Sequence, residues 1–432
     1  MTKRKNNEQV KIVLIGASTR PLIASCLAGG YVPVAFDFFA DWDGKRLIQE
    51  AECAGASLTK IERYADLLDY DLASLGDAAI LAGGAELRPE LVAAVGRQLP
   101  LLGAGKNALA AIADPIQWLQ VLKETGYRAP ESRRVLSVGS EGDWLLKQYG
   151  SCGGSGVRAI TWETERLTAD GLRGACYYQQ RIAGESFSAA LVSRCQGEGG
   201  EDRTFLLGCT RQWLAGDFDV GRSGDHDGRA FAYHGSVGPV PICESVERQI
   251  DRIANVLGRQ FSLAGVWGLD FILDADGQVW PVDLNPRITA SAELFEAAIA
   301  NSASGFHSVV DLHLSVCDSE RGRGGKDFEI LISERMVGQN NATCEAKRFL
   351  FFDGPGIFKM DQSKFKQLSR LYVRDFFQGS QVGVSIADIP EIGDQIAPGR
   401  PLMTMRSRAK TKAEAVVWLN DLLVNVRACL QD

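Results

Sequence analysis

The sequence predicts an α/β protein of three successive parts, and three observations support this fold class. Near the N-terminus, short apolar runs alternate with helical segments, which is typical of a doubly wound parallel sheet. The middle of the chain is richer in strand-like segments and includes an apolar hairpin around the turn 274–277. A polar, glycine-rich stretch, 319–326, then indicates a boundary. We therefore predict domains over residues 1–105, 106–320 and 327–432.

The first domain is predicted to be Rossmann-like, because its apolar runs end in glycine or aspartate as buried parallel strands do before a turn. Its first turn, Gly16–Arg20, lacks the GxGxxG pattern that brings a backbone close to a pyrophosphate. Asp37 after the second strand is therefore weak evidence for a ribose contact, and we expect a scaffold that lines a substrate cleft. The predicted strands are Lys11–Ile15, Tyr31–Phe36, Ala78–Leu81 and Leu99–Leu102, and the predicted helices are Pro21–Ala28 and Leu91–Gln98.

The rest of the chain is predicted to be mixed α and β, with antiparallel strands and amphipathic helices. The predicted strands are Asp143–Tyr149, Val157–Thr161, Tyr177–Ile182, Ser186–Val192, Phe205–Thr210, Val266–Leu273, Gln278–Val282, Ile330–Met336, Gly356–Phe358 and Val382–Ile386. The predicted helices are Ala108–Gly126, Ser245–Phe261 and Lys412–Cys429.

Composition excludes several classes of protein. The chain has 432 residues, of which 45% are hydrophobic and 23% charged, the balance of an ordinary globular protein. Its formal net charge of -7 argues against a nucleic-acid partner, which needs a basic face. No apolar run approaches the ~20 residues of a membrane span, and the first apolar run is too short for a signal peptide. We expect a cytoplasmic protein with no membrane partner.

The ten cysteines do not predict a metal or redox site. They are scattered and form no CxxC pair, so we expect small apolar core residues rather than a structural zinc site. Cys152 lies inside a glycine-rich loop, but no histidine neighbours it in sequence, and a nucleophilic role is not predicted.

The strongest chemical signal is the hairpin over residues 268–287. Asp270 lies on its first strand, and Asp283 and Asn285 lie on the second. Because side chains alternate across a strand, Asp283 and Asn285 share a face, and the hairpin brings Asp270 opposite them. Three oxygen donors of this kind suit Mg²⁺. Arg287 follows two residues later and is placed to contact a phosphate.

A second signal is Lys147 followed by the glycine-rich loop 151–156. A cation on a strand, ahead of such a loop, can hold phosphates by its charge and by backbone N–H groups. It is not a Walker A loop, because GxxxxGK[ST] does not occur. The loop residues predicted to bind the phosphates are Gly153, Gly154, Ser155 and Gly156.

A third signal is the segment 177–186, a strand that runs out into a connection. Backbone groups beyond its paired part can read the edge of an adenine base. Three further residues are weaker candidates for substrate or phosphate contacts: Arg211, Gln212 and His234. The polar segment 216–228 is predicted to be a mobile loop over the site.

Taken in order, these three motifs resemble the ATP-grasp superfamily. The resemblance implies a two-lobed α+β nucleotide clamp between the N-terminal Rossmann-like domain and the small C-terminal α+β domain. It implies that Asp270, Asp283 and Asn285 bind Mg²⁺ or Mn²⁺, and that Arg287 and Lys147 are catalytic. The residues it implies for ATP binding are Lys147, Gly153, Gly154, Ser155, Gly156, Gln179, Gln180, Ile182 and Glu185.

The chain is similar, within that superfamily, to the ATP-grasp carboligases related to tyramine–glutamate ligase. The similarity is carried by Asn285-Pro286-Arg287 and Tyr233-His234-Gly235, and by the segments 388–393 and 396–401. This branch implies a substrate such as glutamate and a place in the biosynthesis of a methanofuran-like or tetrahydromethanopterin-like carrier.

Three departures from the ATP-grasp pattern stand out. The family's Asp-Lys pair reads Asp114-Pro115 here, and Lys106 is a candidate substitute for the missing lysine. Glu185 follows Ile182 by three residues, whereas the ribose-binding glutamate of the family usually follows by four. Gln179 stands where a glutamate is commoner.

The expected activity is that of an ATP-dependent carboxylate–amine ligase that acts through an acyl phosphate, with a small-molecule acid and amine as substrates. A homodimer is common among such ligases. One rival is a biotin-type carboxylase component, although no Met-Lys-Met segment is present. A non-catalytic ATP-binding sensor would need a damaged metal site, and an NAD-linked oxidoreductase would need the missing glycine pattern. The sequence does not identify the acid or the amine.

Overall fold

The chain folds into three sheets with helices on their faces, as described by a computed structural model. Among the residues that the structure describes, no helix is both long and apolar enough to cross a membrane. The structure describes residues 9–136, 142–160, 175–194, 203–217, 230–318, 328–333, 343–352, 356–373, 376, 382–397 and 399–431.

The N-terminal part is a four-stranded parallel sheet in the order β3-β2-β1-β4, which confirms the Rossmann-like prediction. Both faces are covered, since adjacent residues of β1 such as Ile12 and Val13 point into two different hydrophobic cores. Leu101 forms one parallel bridge with Ala79 instead of the predicted strand. The elements are β1 (Lys11–Gly16), α1 (Arg20–Ala28), β2 (Val32–Asp37), α2 (Trp42–Glu50), β3 (Ser57–Lys60), β4 (Ala78–Leu81) and α3 (Pro89–Gln98).

The next part holds a small antiparallel sheet in the order β5-β8-β6-β7. The helix predicted over Ala108–Gly126 is two helices. Asp114 caps the second, accepting a hydrogen bond from the Ile116 amide at 3.1 Å, and Pro115 starts it. The elements are α4 (Lys106–Ile112), α5 (Pro115–Glu124), β5 (Ser132–Arg133), β6 (Trp144–Gln148), β7 (Val157–Ala159) and β8 (Cys176–Gln180).

A second antiparallel sheet of eight strands runs in the order β13-β12-β9-β10-β11-β14-β16-β15. The amphipathic helix α6 packs its apolar face, including Ile250 and Leu257, against this sheet. The strands are β9 (Glu185–Arg194), β10 (Arg203–Leu214), β11 (Tyr233–Val240), β12 (Gly265–Leu273), β13 (Val279–Asn285), β14 (Cys344–Phe351), β15 (Gly383–Ala387) and β16 (Pro401–Ala409), and α6 is Glu244–Gln260.

The C-terminal part continues the same sheet, because β14 pairs with β11. The strand predicted at Ile330–Met336 is wrong over its described residues, which are helical. Phe328 and Leu331 are buried at helical spacing, and Phe328 contacts Phe205 edge to face. The remaining α-helices of the described residues are α7 (Glu296–Ala300), α8 (Val309–Cys317), α9 (Phe328–Ser333), α10 (Gln362–Ser369) and α11 (Lys412–Gln431).

A buried ionic network joins the three parts of the chain. Arg20 on α1 donates to Asp388 at 2.9 Å and to Glu293 at 3.1 Å. Lys347 on β14 donates to the other oxygen of Glu293 at 2.8 Å. Asp43 on α2 accepts from the backbone N–H of Asp388 at 3.0 Å. The network fixes the N-terminal sheet against the large sheet and the C-terminal segment.

Asp37, at the end of β2, has a structural role. Its carboxylate accepts hydrogen bonds from the backbone N–H groups of Thr19, Phe39 and Ala40 and from the Thr19 hydroxyl. These bonds pin the two turns that follow β1 and β2, so the carboxylate is not left for a ribose.

Glu296 gives the fold an expected pH dependence. It is 2% exposed and accepts from the Val309 amide at 3.1 Å. Burial raises its pKa from 4.5 to about 8. Between those two values the folded chain keeps a proton that the unfolded chain has released, so stability is full below pH 4.5 and falls as pH rises.

We expect Glu296→Gln, which mimics the protonated acid, to gain stability over the natural chain by about 3.5 kcal/mol between pH 5 and pH 8. The measurement is the free energy of unfolding in urea for both chains at each pH. A difference between the two chains that does not change with pH would contradict the assignment.

Candidate active site

The predicted metal hairpin is formed by β12 and β13. Asp270 pairs directly with Asp283, and the Asn285 amide nitrogen donates to Asp270 at 3.3 Å. Burial and the charge of Asp283 raise the pKa of Asp270, while hydrogen bonds from Ser188 and Gln212 oppose the rise. Two carboxylates therefore face each other at the edge of the large sheet.

These side chains fit a divalent cation. Neighbouring carboxylates repel each other, and a cation between them removes that cost. Among the described residues no group of three or more His, Cys, Asp and Glu could hold a metal, so a third protein donor has to be the amide oxygen of Asn285. That oxygen already accepts from Arg287 at 3.1 Å and would use its second lone pair. An all-oxygen set suits Mg²⁺ or Mn²⁺.

Lys147 connects the small sheet to this hairpin. Its ammonium donates to the Val282 carbonyl at 2.9 Å and to the Gln179 side-chain oxygen at 3.1 Å. Val282 is the extra residue of a β-bulge, which leaves its carbonyl turned away from the ladder. Burial lowers the pKa of Lys147, and the charges of Asp283 and Asp270 oppose this. The predicted phosphate-binding cation thus lies beside the predicted metal ligands.

The glycine-rich loop lies against the start of β11. The Gly153 carbonyl accepts from the Tyr233 amide at 3.0 Å. Gly154 has a φ of 72°, and a Cβ on it would lie 2.0 Å from the Phe231 carbonyl oxygen. Only glycine fits at this position, because the loop packs directly against the backbone at the start of β11. We call this contact the docking of the loop on β11.

The other two loop residues predicted to contact phosphate form local hydrogen bonds. The Ser155 hydroxyl donates to the Cys152 carbonyl at 3.0 Å, and the Gly156 carbonyl accepts from the Gln148 amide at 2.9 Å. Any phosphate contact from this segment would therefore come from backbone N–H groups.

The connection after β8 carries the predicted base and ribose contacts. The backbone N–H of Gln180 donates to the Glu131 carbonyl oxygen at 2.7 Å, and the Ile182 side chain is half-buried. Glu185 is exposed and forms an ion pair with Arg211 at 2.7 Å. Among the described residues no hydrogen bond joins Glu185 to Lys147, so the ribose role of Glu185 stays a prediction.

Residues 112–291 match the family model of the ATP-grasp domain. The chain contains an ATP-grasp domain. No curated protein matches the chain.

Several solved structures share the fold of this chain over nearly its whole length. N5-carboxyaminoimidazole synthase from Aspergillus clavatus, in complex with ADP, has a TM-score of 0.64 at 14% identity, covering 97% of this chain and 99% of that one. L-amino acid ligase from Bacillus licheniformis has a TM-score of 0.64 at 14% identity, covering 98% of each. The biotin carboxylase domain dimer of Hydrogenobacter thermophilus 2-oxoglutarate carboxylase, with MgADP and bicarbonate, has a TM-score of 0.66 at 13% identity, covering 95% and 89%.

One residue of the candidate site was missed by sequence reasoning. Glu86, on the loop after β4, accepts a hydrogen bond from Arg287 and another from the Gly84 amide at 2.8 Å. Both ionic partners are largely buried. The glycine pair after a buried parallel strand was the available signal, since ligands bind beyond the carboxyl ends of such strands.

The departures from the ATP-grasp pattern have partial structural answers. Asp114 forms an ion pair with Arg134, and Lys106 is exposed at the start of α4.

Two of the weaker candidates for substrate contacts have partners of their own. Gln212 is a hydrogen-bond partner of Asp270, and His234 stacks on Phe351 with ring centroids 4.2 Å apart. Most of the predicted loop 216–228 lies outside the described residues.

Proposed function

We propose that this chain is an ATP-dependent carboxylate–amine ligase that forms an amide bond through an acyl phosphate. The observation that supports it is the link from Lys147 to the hairpin that carries Asp270, Asp283 and Asn285, with Arg287 beside it. A cation for phosphate, two carboxylates for a metal and an arginine for developing charge are the groups that phosphoryl transfer requires. Each comes from a different strand or strand end of one site.

The metal site would be formed by Asp270, Asp283 and Asn285. Bound Mg²⁺ supplies charge stabilisation for the phosphates and a template that orients them. Lys147 neutralises an α or β oxygen of ATP, and the backbone N–H groups of the docked loop cover the triphosphate. Gln179, Gln180, Ile182 and Glu185 line the region proposed for the base and ribose.

The reaction then has two steps. A carboxylate oxygen of the first substrate attacks the γ-phosphorus, the bond to ADP breaks, and an acyl phosphate forms. The amine nitrogen attacks the acyl carbon, the bond to phosphate oxygen breaks, and the amine loses a proton as the amide forms. Arg287, with five fixed donors, stabilises the charge on the moving phosphoryl group. The docked loop excludes water, which would otherwise hydrolyse the acyl phosphate.

For the substrates we propose an amino acid such as glutamate and a second small amine, as the resemblance to tyramine–glutamate ligase suggests. The fold similarity to an L-amino acid ligase supports an amino-acid substrate. We extend this to the biosynthesis of a methanofuran-like or tetrahydromethanopterin-like carrier, in a cytoplasmic homodimer.

The test is ADP release with Mg-ATP and a panel of single amino acids and pairs, with glutamate plus tyramine among the first. ADP formed only with a particular acid–amine pair, and lost in Asp283→Ala, would establish the ligase. The amide product is checked by mass spectrometry. ATP binding without turnover for any pair would favour the sensor, and absence of ATP binding would exclude the proposal.

A biotin-type carboxylase is the second candidate, favoured by the fold similarity to a biotin carboxylase domain that binds bicarbonate. The two are separated in the same assay. ADP release that requires bicarbonate and free biotin, and no amine, identifies the carboxylase.

A further inference from the structure

Glu86 and Arg287 form an ion pair that joins the N-terminal sheet to the hairpin that carries the candidate metal ligands. One carboxylate oxygen of Glu86 accepts from Nε of Arg287, and the other accepts from the Gly84 amide at 2.8 Å. The Glu86 side chain is 3% exposed, so little water competes for these oxygens. The pair therefore fixes the loop after β4 against the end of β13.

A carboxylate is suited to this position because both of its neighbours are donors. Nε of Arg287 and the Gly84 amide each need an oxygen, and a carboxylate offers one to each. The loop that holds Glu86 is itself anchored, since the Gly83 carbonyl accepts from the Tyr64 hydroxyl at 3.0 Å. Glu86 is thus a fixed point to which the longer and more flexible arginine is attached.

These contacts decide which N–H groups of Arg287 remain for a ligand. Nε donates to Glu86, and Nη2 donates to the side-chain oxygen of Asn285 at 3.1 Å. Among the residues that the structure describes, nothing accepts from Nη1. Because Nη2 lies against a candidate metal ligand, the Nη1 end of the guanidinium lies beside the position proposed for the metal-bound phosphates.

Arg287 also has competing partners that would take it away from this position. The charges of Asp283 and Asp270 act on its guanidinium as well, and both residues are candidate metal ligands. An arginine that turned onto either carboxylate would occupy an oxygen that the metal needs. Arginine has large rotamer entropy, so without a fixed partner its side chain would sample such orientations.

We propose that Glu86 is a positioning residue, which holds Nε of Arg287 so that the Nη1 end of the guanidinium faces the phosphoryl group in transfer. This inference rests on the proposed function, which assigns charge stabilisation to Arg287. Glu86 touches neither the nucleotide nor the metal in this scheme and acts through the arginine. It lies outside residues 112–291, so the part of the chain that matches the ATP-grasp model contains the arginine without this partner.

The test uses aluminium fluoride, which with MgADP mimics a phosphoryl group in transfer. The measured quantity is the gain in MgADP affinity, by calorimetry, when aluminium fluoride is added. We expect Glu86→Asp to reduce this gain about tenfold, because the shorter side chain keeps the charge and displaces the carboxylate by more than about an ångström. The affinity for MgADP alone should not change. The matched control is Glu90→Asp, the same substitution at a nearby exposed residue, which should keep the full gain.

A double substitution tests whether Glu86 acts through Arg287. Arg287→Ala should reduce the gain by about 10²-fold, the effect of one lost charge contact. Adding Glu86→Asp to that variant should reduce it no further, because the residue through which Glu86 acts is absent. A further reduction would mean that Glu86 acts on the phosphoryl group by itself, and would overturn the inference.

The other outcomes are equally decisive. A full gain in Glu86→Asp would overturn the inference, and so would a natural chain that binds MgADP but gains nothing from aluminium fluoride. If the natural chain does not bind MgADP, the proposed function itself fails. If Glu86→Asp does not fold, Glu86→Gln takes its place. Neutralising a carboxylate that merely repels the anionic fluoride would raise the gain, whereas losing the anchor of Arg287 lowers it, so a raised gain would also overturn the inference.

Discussion

Replacing Asp270 by asparagine is expected to lower Mg²⁺-dependent ADP release by about 10³-fold. The carboxylate is one of two that face each other on the hairpin, and removing it weakens the hold on a cation that contributes several kcal/mol of charge stabilisation. Asparagine has nearly the same shape and keeps one oxygen, so the loss reports charge rather than packing.

The same substitution should not destabilise the fold. It removes the repulsion between Asp270 and Asp283, which in the absence of metal costs free energy. We therefore expect a melting temperature at least equal to that of the natural chain in EDTA, together with inactivity in Mg²⁺. The matched control is Asp276→Asn, an exposed residue of the same hairpin, which should retain full activity. Activity retained by Asp270→Asn would remove this residue from the metal site.

Replacing Gly154 by alanine is expected to lower ADP release by about 10²-fold. Its Cβ would lie 2.0 Å from the Phe231 carbonyl oxygen, so the loop would have to move off β11 by more than an ångström. Displacements of that size at a catalytic site typically cost a factor of 10². Because the proposed mechanism has the loop exclude water, ATP hydrolysis without substrate should rise relative to amide formation.

Gly153→Ala is the matched comparison. This residue also has a positive φ, of 63°, but nothing lies within 4 Å of the position of its Cβ. Both variants share the conformational strain of a left-handed residue, and only Gly154→Ala adds the collision. The ratio of amide formed to ATP consumed is the measurement. Equal effects in the two variants would show that docking on β11 is irrelevant to catalysis.

The hairpin that carries the candidate metal ligands could be predicted from sequence because its determinants are local. Alternation along β13 and a short turn place Asp270 and Asp283 opposite each other without any knowledge of the rest of the fold. The parallel sheet was predictable for a similar reason, since buried strands are continuous apolar runs. Lys147 and its glycine-rich loop could also be recognised in the sequence. The contact between Lys147 and Val282 could not be predicted, because it joins two distant strands.

The features that could not be predicted from the sequence depend on contacts between residues that are distant along the chain. Glu86 meets Arg287 across about 200 positions, and no local pattern distinguishes it from a surface glutamate. The hydrogen bond from Lys147 to the side-chain oxygen of Gln179 joins residues on two different strands, so no local pattern predicts it. A short apolar run can be a strand or a buried helix, which is why α9 was predicted wrongly.

The pairing of β11 with β14 constrains how this chain can have been assembled in evolution. A C-terminal third that shares a sheet with the catalytic part, and supplies Lys347 to the buried Glu293, cannot be exchanged between relatives as an independent module. A recombinant lacking it would carry an open strand edge and a buried Glu293 without its lysine partner. The C-terminal segment therefore cannot be gained or lost without altering the sheet that carries the candidate site.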